Sequence, residues 1–393
     1  MKIESIDLFY IALPDIADEA DGSQDSFVVR IRSDTGLEGF GESDSSPLIA
    51  MACYFTPMSH SNIVNLRQCL LGQTIECPED IRRIYQHARR RALDMAHFPH
   101  AYAAADIALW DLAGKFLGKP AWELLGYERA LPKRAYASYV FPDTPEQTRD
   151  LADQARRAGF TAAKFGWGPM GRHNKKFDVD LVGGARKGLG PDAALMIDAG
   201  TVWDEDVDTV LDRAEAFAPF DVTWLEEPLS PQSVEAYSKL HGRAAIPIAA
   251  GEGCDTVRAA EDLLVNGKVN FLQIDPGRIG GITPAWQALQ LARKHGVTFV
   301  NHTFKSHISL AAAIAVLAGE PTAPWVEYCQ SGSPLVQRPV KNPICIDARG
   351  NLHPAQGPGL GIEVDLSAVA EYIRQVTISV DGQVIGKTGA DLA

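Results

Sequence analysis

Three short apolar runs between Ala194 and Gly253 each end in an acid. They read Ala-Leu-Met-Ile-Asp at 194–198, Val-Thr-Trp-Leu-Glu-Glu-Pro at 222–228 and Ile-Pro-Ile-Ala-Ala-Gly-Glu at 246–252. Asp198, Glu226 and Glu252 are therefore 28 and 26 residues apart, an interval that holds one strand and one crossover helix. Successive strands of a parallel sheet or barrel lie side by side, so the three carboxylates converge at one rim. Buried anions repel unless a cation compensates them, and an all-oxygen cluster favours a hard ion, Mg²⁺ first, with Mn²⁺ or Ca²⁺ behind it. The competing reading is three solvated acids at loop starts; the metal reading is preferred.

The same alternation extends along the chain. From Arg134 onward, strand ends are expected near Tyr139, Lys164, Asp198, Glu226, Ala250, Asp275, Asn301 and Glu327, with helices between them at 144–157, 204–217, 232–241, 284–295 and 309–318. Eight alternations indicate an α/β fold of the (β/α)₈ TIM-type barrel class rather than an open doubly wound sheet. Ahead of the barrel, residues 1–12 alternate as a half-buried strand, and 25–43 reads as a hairpin turning at Asp34-Thr35-Gly36. An acidic, glycine-containing loop lies between them. A helix is expected over 100–117, with apolar residues at i, i+3 and i+4 and a stop at Gly118-Lys119-Pro120. These elements predict an N-terminal α+β capping domain at 1–125 and a barrel at 126–354. A C-terminal segment of about 355–393 is expected to return to the cap.

A chain of 393 residues with 46% apolar content has ample core for one such barrel. Its net charge of −13 argues against a nucleic-acid or anionic-membrane partner. The six cysteines are scattered without a CxxC pair, no apolar signal core follows Met1, and no run has the ~18–20 apolar residues of a membrane span. The expectation is a cytoplasmic protein acting on a small molecule.

In a barrel the C-terminal rim carries the active site, so the strand ends supply the candidates. His302 follows Asp275 by 27 residues, which places the two on adjacent strands; a carboxylate holding one imidazole nitrogen raises the basicity of the other. Lys164, at the end of the second strand, is suited to neutralise a substrate carboxylate or the enediolate derived from it. Glu327 can exchange a hydrogen bond with that carboxylate, as a donor if protonated. A metal, a lysine and a His–Asp base together serve proton abstraction next to a carboxylate.

The ordered set of motifs resembles the enolase superfamily, and within it the mandelate racemase subgroup. It comprises Asp-Thr-Gly-Leu-Glu-Gly-Phe-Gly-Glu (34–42), Ile-Asp-Ala-Gly at Asp198, Trp-Leu-Glu-Glu-Pro (224–228), Ala-Gly-Glu (250–252), Asp-Pro-Gly-Arg-Ile-Gly-Gly-Ile-Thr (275–283), Asn301-His302 and the late Pro-Gly-Leu-Gly-Ile. The resemblance implies Mg²⁺ on Asp198, Glu226 and Glu252, with Glu227 the weaker candidate. It implies His302 as base with Asp275 as partner, and Glu327 as a donor to the substrate carboxylate. Cap loops near 15–25 and 45–60 would close the site, and a homo-oligomer is expected. Most subgroup members with this dyad dehydrate sugar acids to 2-keto-3-deoxy acids, so the expected activity is a carbon–oxygen lyase (hydro-lyase) acting on an aldonate or aldarate.

One departure matters. The subgroup commonly carries two basic residues two apart on the second strand, where this chain has Lys164-Phe165-Gly166. A two-base racemase or epimerase is demoted by Gly166, and a muconate-type cycloisomerase would want lysine at Asp275. A non-catalytic metal-binding barrel is the remaining alternative. The leaving hydroxyl is then protonated by His302 itself or assisted by Tyr139, Arg172, His173 or Lys175.

Overall fold

The hairpin turn at Gly36 (φ 78°) folds β2 (Asp25–Ser33) onto β3 (Glu38–Ser43), and β1 (Ile3–Ala12) pairs antiparallel with β2. The computed structural model describes residues 1–388, so positions 389–393 of the expected C-terminal segment lie outside the described residues. Helices α1 (Pro47–Phe55), α2 (Leu66–Leu70), α3 (Pro78–Arg91) and α4 (Phe98–Leu117) follow. Helix α4 crosses β3 at its glycines: a Cβ on Gly41 would lie 2.0 Å from the Ala104 carbonyl oxygen. It ends at Gly118 in the left-handed conformation (φ 68°), as its stop signal requires.

Helix α4 covers the expected 100–117, and its burial goes beyond the apolar spacing: every residue from Ala101 to Gly114 is buried. The second face meets the barrel, where Asp106 accepts hydrogen bonds from the Thr283 amide and hydroxyl, both at 2.8 Å, and Trp110 donates to Thr283 Oγ1 at 2.9 Å. A helix clamped between two layers has no solvent side to keep polar.

The barrel strands are β4 (Lys133–Val140), β5 (Ala162–Gly166), β6 (Ala194–Asp198), β7 (Val222–Glu226), β8 (Ile248–Ala250), β9 (Phe271–Ile274), β10 (Thr298–Asn301) and β11 (Trp325–Cys329). All eight expected strand ends fall within or immediately beyond these strands. They pair in parallel in the order β10-β9-β8-β7-β6-β5-β4-β11. Between β10 and β11 a side chain substitutes for the ladder, Asn301 Oδ1 accepting from the Glu327 amide at 3.0 Å. The fold is thus a nearly closed eight-strand barrel under an antiparallel cap.

The C-terminal segment stitches the two layers together. Strand β12 (Asn351–Leu352) pairs with β4, the Leu360 amide donates to Asp111 of α4 at 2.9 Å, and β13 (Ile373–Arg374) extends the cap sheet beside β1. A two-stranded hairpin, β14 (Thr377–Val380) and β15 (Gln383–Lys387), follows. Among the described residues no helix is long and apolar enough to cross a membrane.

Candidate active site

Inside the barrel, Tyr136, Ala162, Met196, Trp224 and Val300 form a fully buried apolar layer. Side chains of a strand alternate with period two, so the next inward positions are Ser138, Lys164, Asp198, Glu226 and His302. Glu327 stands in the same relation to Trp325, which packs against that layer. The lumen changes from hydrocarbon to charge within one pleat, and strand register sets the level: Gly166 pairs with Asp198, and Asp198 with Glu226. Glu252 reaches the same height by leaving the strand, through Gly251 at φ 132°.

Oxygens of Asp198, Glu226 and Glu252 lie within 4.8 Å of one another, all three residues buried. Gly200 N donates to Asp198 at 2.8 Å and Trp224 Nε1 to Glu226 at 2.9 Å; Glu252 Oε2 is buried without a hydrogen-bond partner. Burial and the Glu226 charge push the Asp198 carboxyl well above the carboxylate range. Lys164 Nζ contacts Glu226, Glu327 (2.8 Å) and Asp198 (3.5 Å). Burial would discharge this ammonium, but the surrounding acids outweigh it and hold it well above its usual range. One lysine shared among so many acids leaves a charge deficit. An all-oxygen donor set, with Glu252 Oε2 making no hydrogen bond and facing only the His302 imidazole at 3.2 Å, is what a hard divalent ion fits.

On the β9–β10 side, His302 Nδ1 lies 2.7 Å from Asp275 Oδ2, and Nε2 lies 3.2 Å from Glu252 Oε2. Burial opposes charging of the imidazole, but Glu252 and Glu327 override it and lift His302 to about 10. A cation on Glu252 removes part of the field responsible, which lowers the proton affinity. Arg278, whose place in the 275–283 motif gave no hint of a role, bridges Glu252 (2.9 Å) and cap residue Asp44 (2.6 Å). Lys305 joins Asp44 (3.4 Å) to Asp25 (2.8 Å). Glu42, also from the cap, accepts from Ser306 Oγ (2.5 Å) and Ser309 Oγ (2.8 Å), at the start of the helix His307–Leu317.

The β4–β5 side is built otherwise. A Cβ on Gly166 would lie 2.5 Å from Asp198 Cβ, so the Asp198 side chain fills the space a second base would need. Tyr139 stacks on Phe165 (centroids 5.3 Å apart) and lines a cavity of about 270 Å³ with Lys164, Trp167, Asp198, His302 and Phe304. Glu19 to Gly22 of the cap loop form its outer wall. Asp21 latches that loop, accepting from Ser331 Oγ at 2.7 Å. The second expected closing loop contributes less: its start, Ser45 and Ser46, borders an adjoining pocket, and much of the rest is helix α1.

The remaining candidate residues occupy different positions. Glu327 accepts from Ser138 Oγ (2.7 Å), Thr303 N (2.6 Å) and Lys164. Burial opposes its ionisation, but Lys164 and His302 prevail and hold it down at about 2, so with no substrate bound it accepts hydrogen bonds. Glu227, at φ 32°, turns to the Gly251 amide at 3.2 Å and stands outside the acidic triad. His173 packs on Phe177, Lys175 pairs with Asp212, and Arg172 lines an outer groove. Their loop turns outward through Gly168 and Gly171, leaving Tyr139 as the one of the four that reaches the cavity.

The chain matches the family model Enolase C-terminal domain-like over residues 147–368 and the Mandelate racemase / muconate lactonizing enzyme N-terminal domain over 14–126. The chain belongs to the enolase superfamily, in its mandelate racemase subgroup. It is 31% identical to a D-galactarolactone cycloisomerase of Agrobacterium fabrum, across 88% of this chain and 90% of that one. It is also 31% identical to an L-talarate/galactarate dehydratase of Salmonella typhimurium, across 78% and 74%. Among solved structures, one described as a predicted mandelate racemase from Rhodobacter sphaeroides superposes with TM-score 0.94 at 40% identity, covering 99% of each chain. A racemase from Streptomyces coelicolor A3(2) with bound magnesium superposes with TM-score 0.80 at 26% identity, covering 95% of this chain and 100% of that one. The homologues thus include sugar-acid dehydratases and cycloisomerases.

Proposed function

We propose that this superfamily member is a Mg²⁺-dependent, cytoplasmic acid-sugar dehydratase that converts a sugar acid to a 2-keto-3-deoxy acid from one catalytic face. The observation that carries the reading is His302, held at 2.7 Å by Asp275 and lining the same cavity as Lys164 and Asp198. Asp198, Glu226 and Glu252 would hold the ion, which when bound neutralises charge growing on the substrate carboxylate.

An Nδ1–H donated to Asp275 leaves Nε2 of His302 as the acceptor for the α-proton. Lys164 then donates to the carboxylate oxygen that gains charge, and Glu327, fixed by Ser138 and the Thr303 amide, keeps the ammonium in place. The C–H electron pair forms the Cα=Cβ bond as the Cβ–O bond breaks. His302 returns its proton to the departing oxygen on the same face, releasing water, and the enol tautomerises to the ketone. Gly166 offers no donor on the other face, which disfavours a racemase or epimerase. The intact His302–Asp275 pair disfavours a non-catalytic barrel.

A second reading is favoured by the likeness to D-galactarolactone cycloisomerase. If the β-oxygen belongs to a ring, the same steps open the ring and isomerise the substrate without loss of water. The test is a panel of aldonates, aldarates and their lactones incubated with enzyme and Mg²⁺. Formation of 2-keto-3-deoxy acid that stops with chelator supports the proposal; exchange or turnover that is indifferent to chelator contradicts it.

A further inference from the structure

We propose that the cavity selects a sugar acid that carries a single carboxylate and lays the face of a closed sugar ring on Trp167. This rests on the α-proton abstraction proposed above, in its ring-opening form where the ring is a lactone, and narrows the substrate class.

Charge is the first argument. The basic side chains lining the cavity are Lys164, Arg278 and His302, and all have partners: Lys164 has Glu226, Glu327 and Asp198, Arg278 has Asp44 and Glu252, and His302 has Asp275 and Glu252. An ion on the acidic triad would free Lys164 for one carboxylate, the reacting one. A second carboxylate at the far end of the substrate would meet Glu19 and Asp21 from the cap loop. Asp21 is fixed there by Ser23 and Ser331. A distal anion held within the inner cavity would lie against acids with no unengaged cation among the described lining residues, Arg172 opening onto the outer groove instead, while neutral hydroxyls would find acceptors.

Trp167 is the second argument. Its backbone sits at φ 57°, a region a bulky side chain rarely enters and in which strain concentrates at functional sites. Neighbouring glycines accommodate it. A Cβ on Gly200 would come within 2.5 Å of the indole, and one on Gly168 within 2.4 Å of the Phe141 carbonyl oxygen. The strained turn puts the indole in the wall shared by the inner cavity and the outer groove. Tyr139 and Phe304 add aromatic surface to the same small space. Aromatic faces carry negative quadrupole density and attract the C–H edges of an apolar surface; a closed sugar ring presents such a flat face, whereas an extended polyol chain presents hydroxyls on every side.

The test compares three acids of one configuration: an open-chain aldonate, the matching aldarate, and the monolactone of that aldarate. Each is incubated with Mg²⁺ in D₂O at neutral pH with wild type, Trp167→Leu and Trp167→Phe, and α-proton exchange and product are followed by NMR. The expected result is that the monolactone has the highest kcat/KM, and that Trp167→Leu raises its KM by up to about tenfold. Its kcat should change less, and the open-chain acids little, with Trp167→Phe retaining most of the preference. Faster reaction of the aldarate, or an equal loss on all three acids in Trp167→Leu, overturns the inference and leaves the lyase reading standing. Absence of exchange with all three overturns both.

Discussion

The two walls of the cavity are held by different means. The β9–β10 wall carries His302 and Asp275 and is bound to the cap by buried polar contacts: Asp44 to Arg278, Asp25 to Lys305, Glu42 to Ser306 and Ser309, Asp106 to Thr283. The β4–β5 wall carries Gly166 and Trp167, and its loop packs on barrel residues such as Phe141, Gly200 and Val202. A proton-transfer group needs its position fixed to a fraction of an ångström, which the clamped wall supplies. Beyond Lys164, the β4–β5 wall carries no proposed proton-transfer group, and its glycine-rich turn with a strained tryptophan shapes the space the substrate enters. On the proposed reading, proton transfer belongs to the clamped side, and the other side contributes Lys164 and selection.

Four perturbations bear on this division. His302→Asn should lower kcat on the order of 10²–10⁴-fold with Mg²⁺ affinity retained in a titration; near-normal turnover would end the assignment of chemistry to that wall. Gly166→Ala, on the opposite wall, should act through Asp198, because the new methyl displaces that carboxylate. Mg²⁺ affinity should fall about 10–100-fold, measured by calorimetry, and no epimerase activity should emerge.

Glu42→Gln tests the clamp. Removing a buried anion from the Ser306 and Ser309 donors should cost about 1–3 kcal/mol in urea unfolding and lower kcat, while Mg²⁺ affinity stays unchanged. The smallest effect is expected at Asp106, which burial pushes up to about 7. Its proton is held more tightly in the folded state than in the unfolded chain, so this group makes stability fall as pH rises from about 4 to about 7. Asp106→Asn should flatten that part of the pH–stability curve relative to wild type; an unchanged slope would remove Asp106 from the clamp's electrostatics.

The legible parts of this molecule were those governed by local period. Acid-terminated apolar runs marked the strand ends, and the one-pleat step from Met196 to Asp198 or Trp224 to Glu226 placed the acids over an apolar floor. What stayed hidden depends on contacts distant in sequence. Arg278 meets Asp44 across 234 positions, and Glu42 meets Ser306 across 264; no spacing rule connects a cap strand to a barrel loop. Periodicity located helix α4 but could not reveal that a second layer covers its other face. The partners that Glu327 meets, Ser138, Thr303 and Lys164, come from three other segments, so its hydrogen bonds could not be read from spacing. Arg172, His173 and Lys175 were counted by proximity in sequence, and the outward turn of their loop removes them from the cavity.

The central claim is that proton transfer occurs from one face only. The direct measurement is to incubate enzyme, Mg²⁺ and a reacting sugar acid in D₂O and follow both deuterium at the α-carbon and the appearance of its epimer. Exchange or elimination from one configuration, with no epimer and with loss of both in His302→Asn, is the predicted result. Accumulation of the epimer, or exchange that survives His302→Asn, would show a second base on the β4–β5 side and contradict the account.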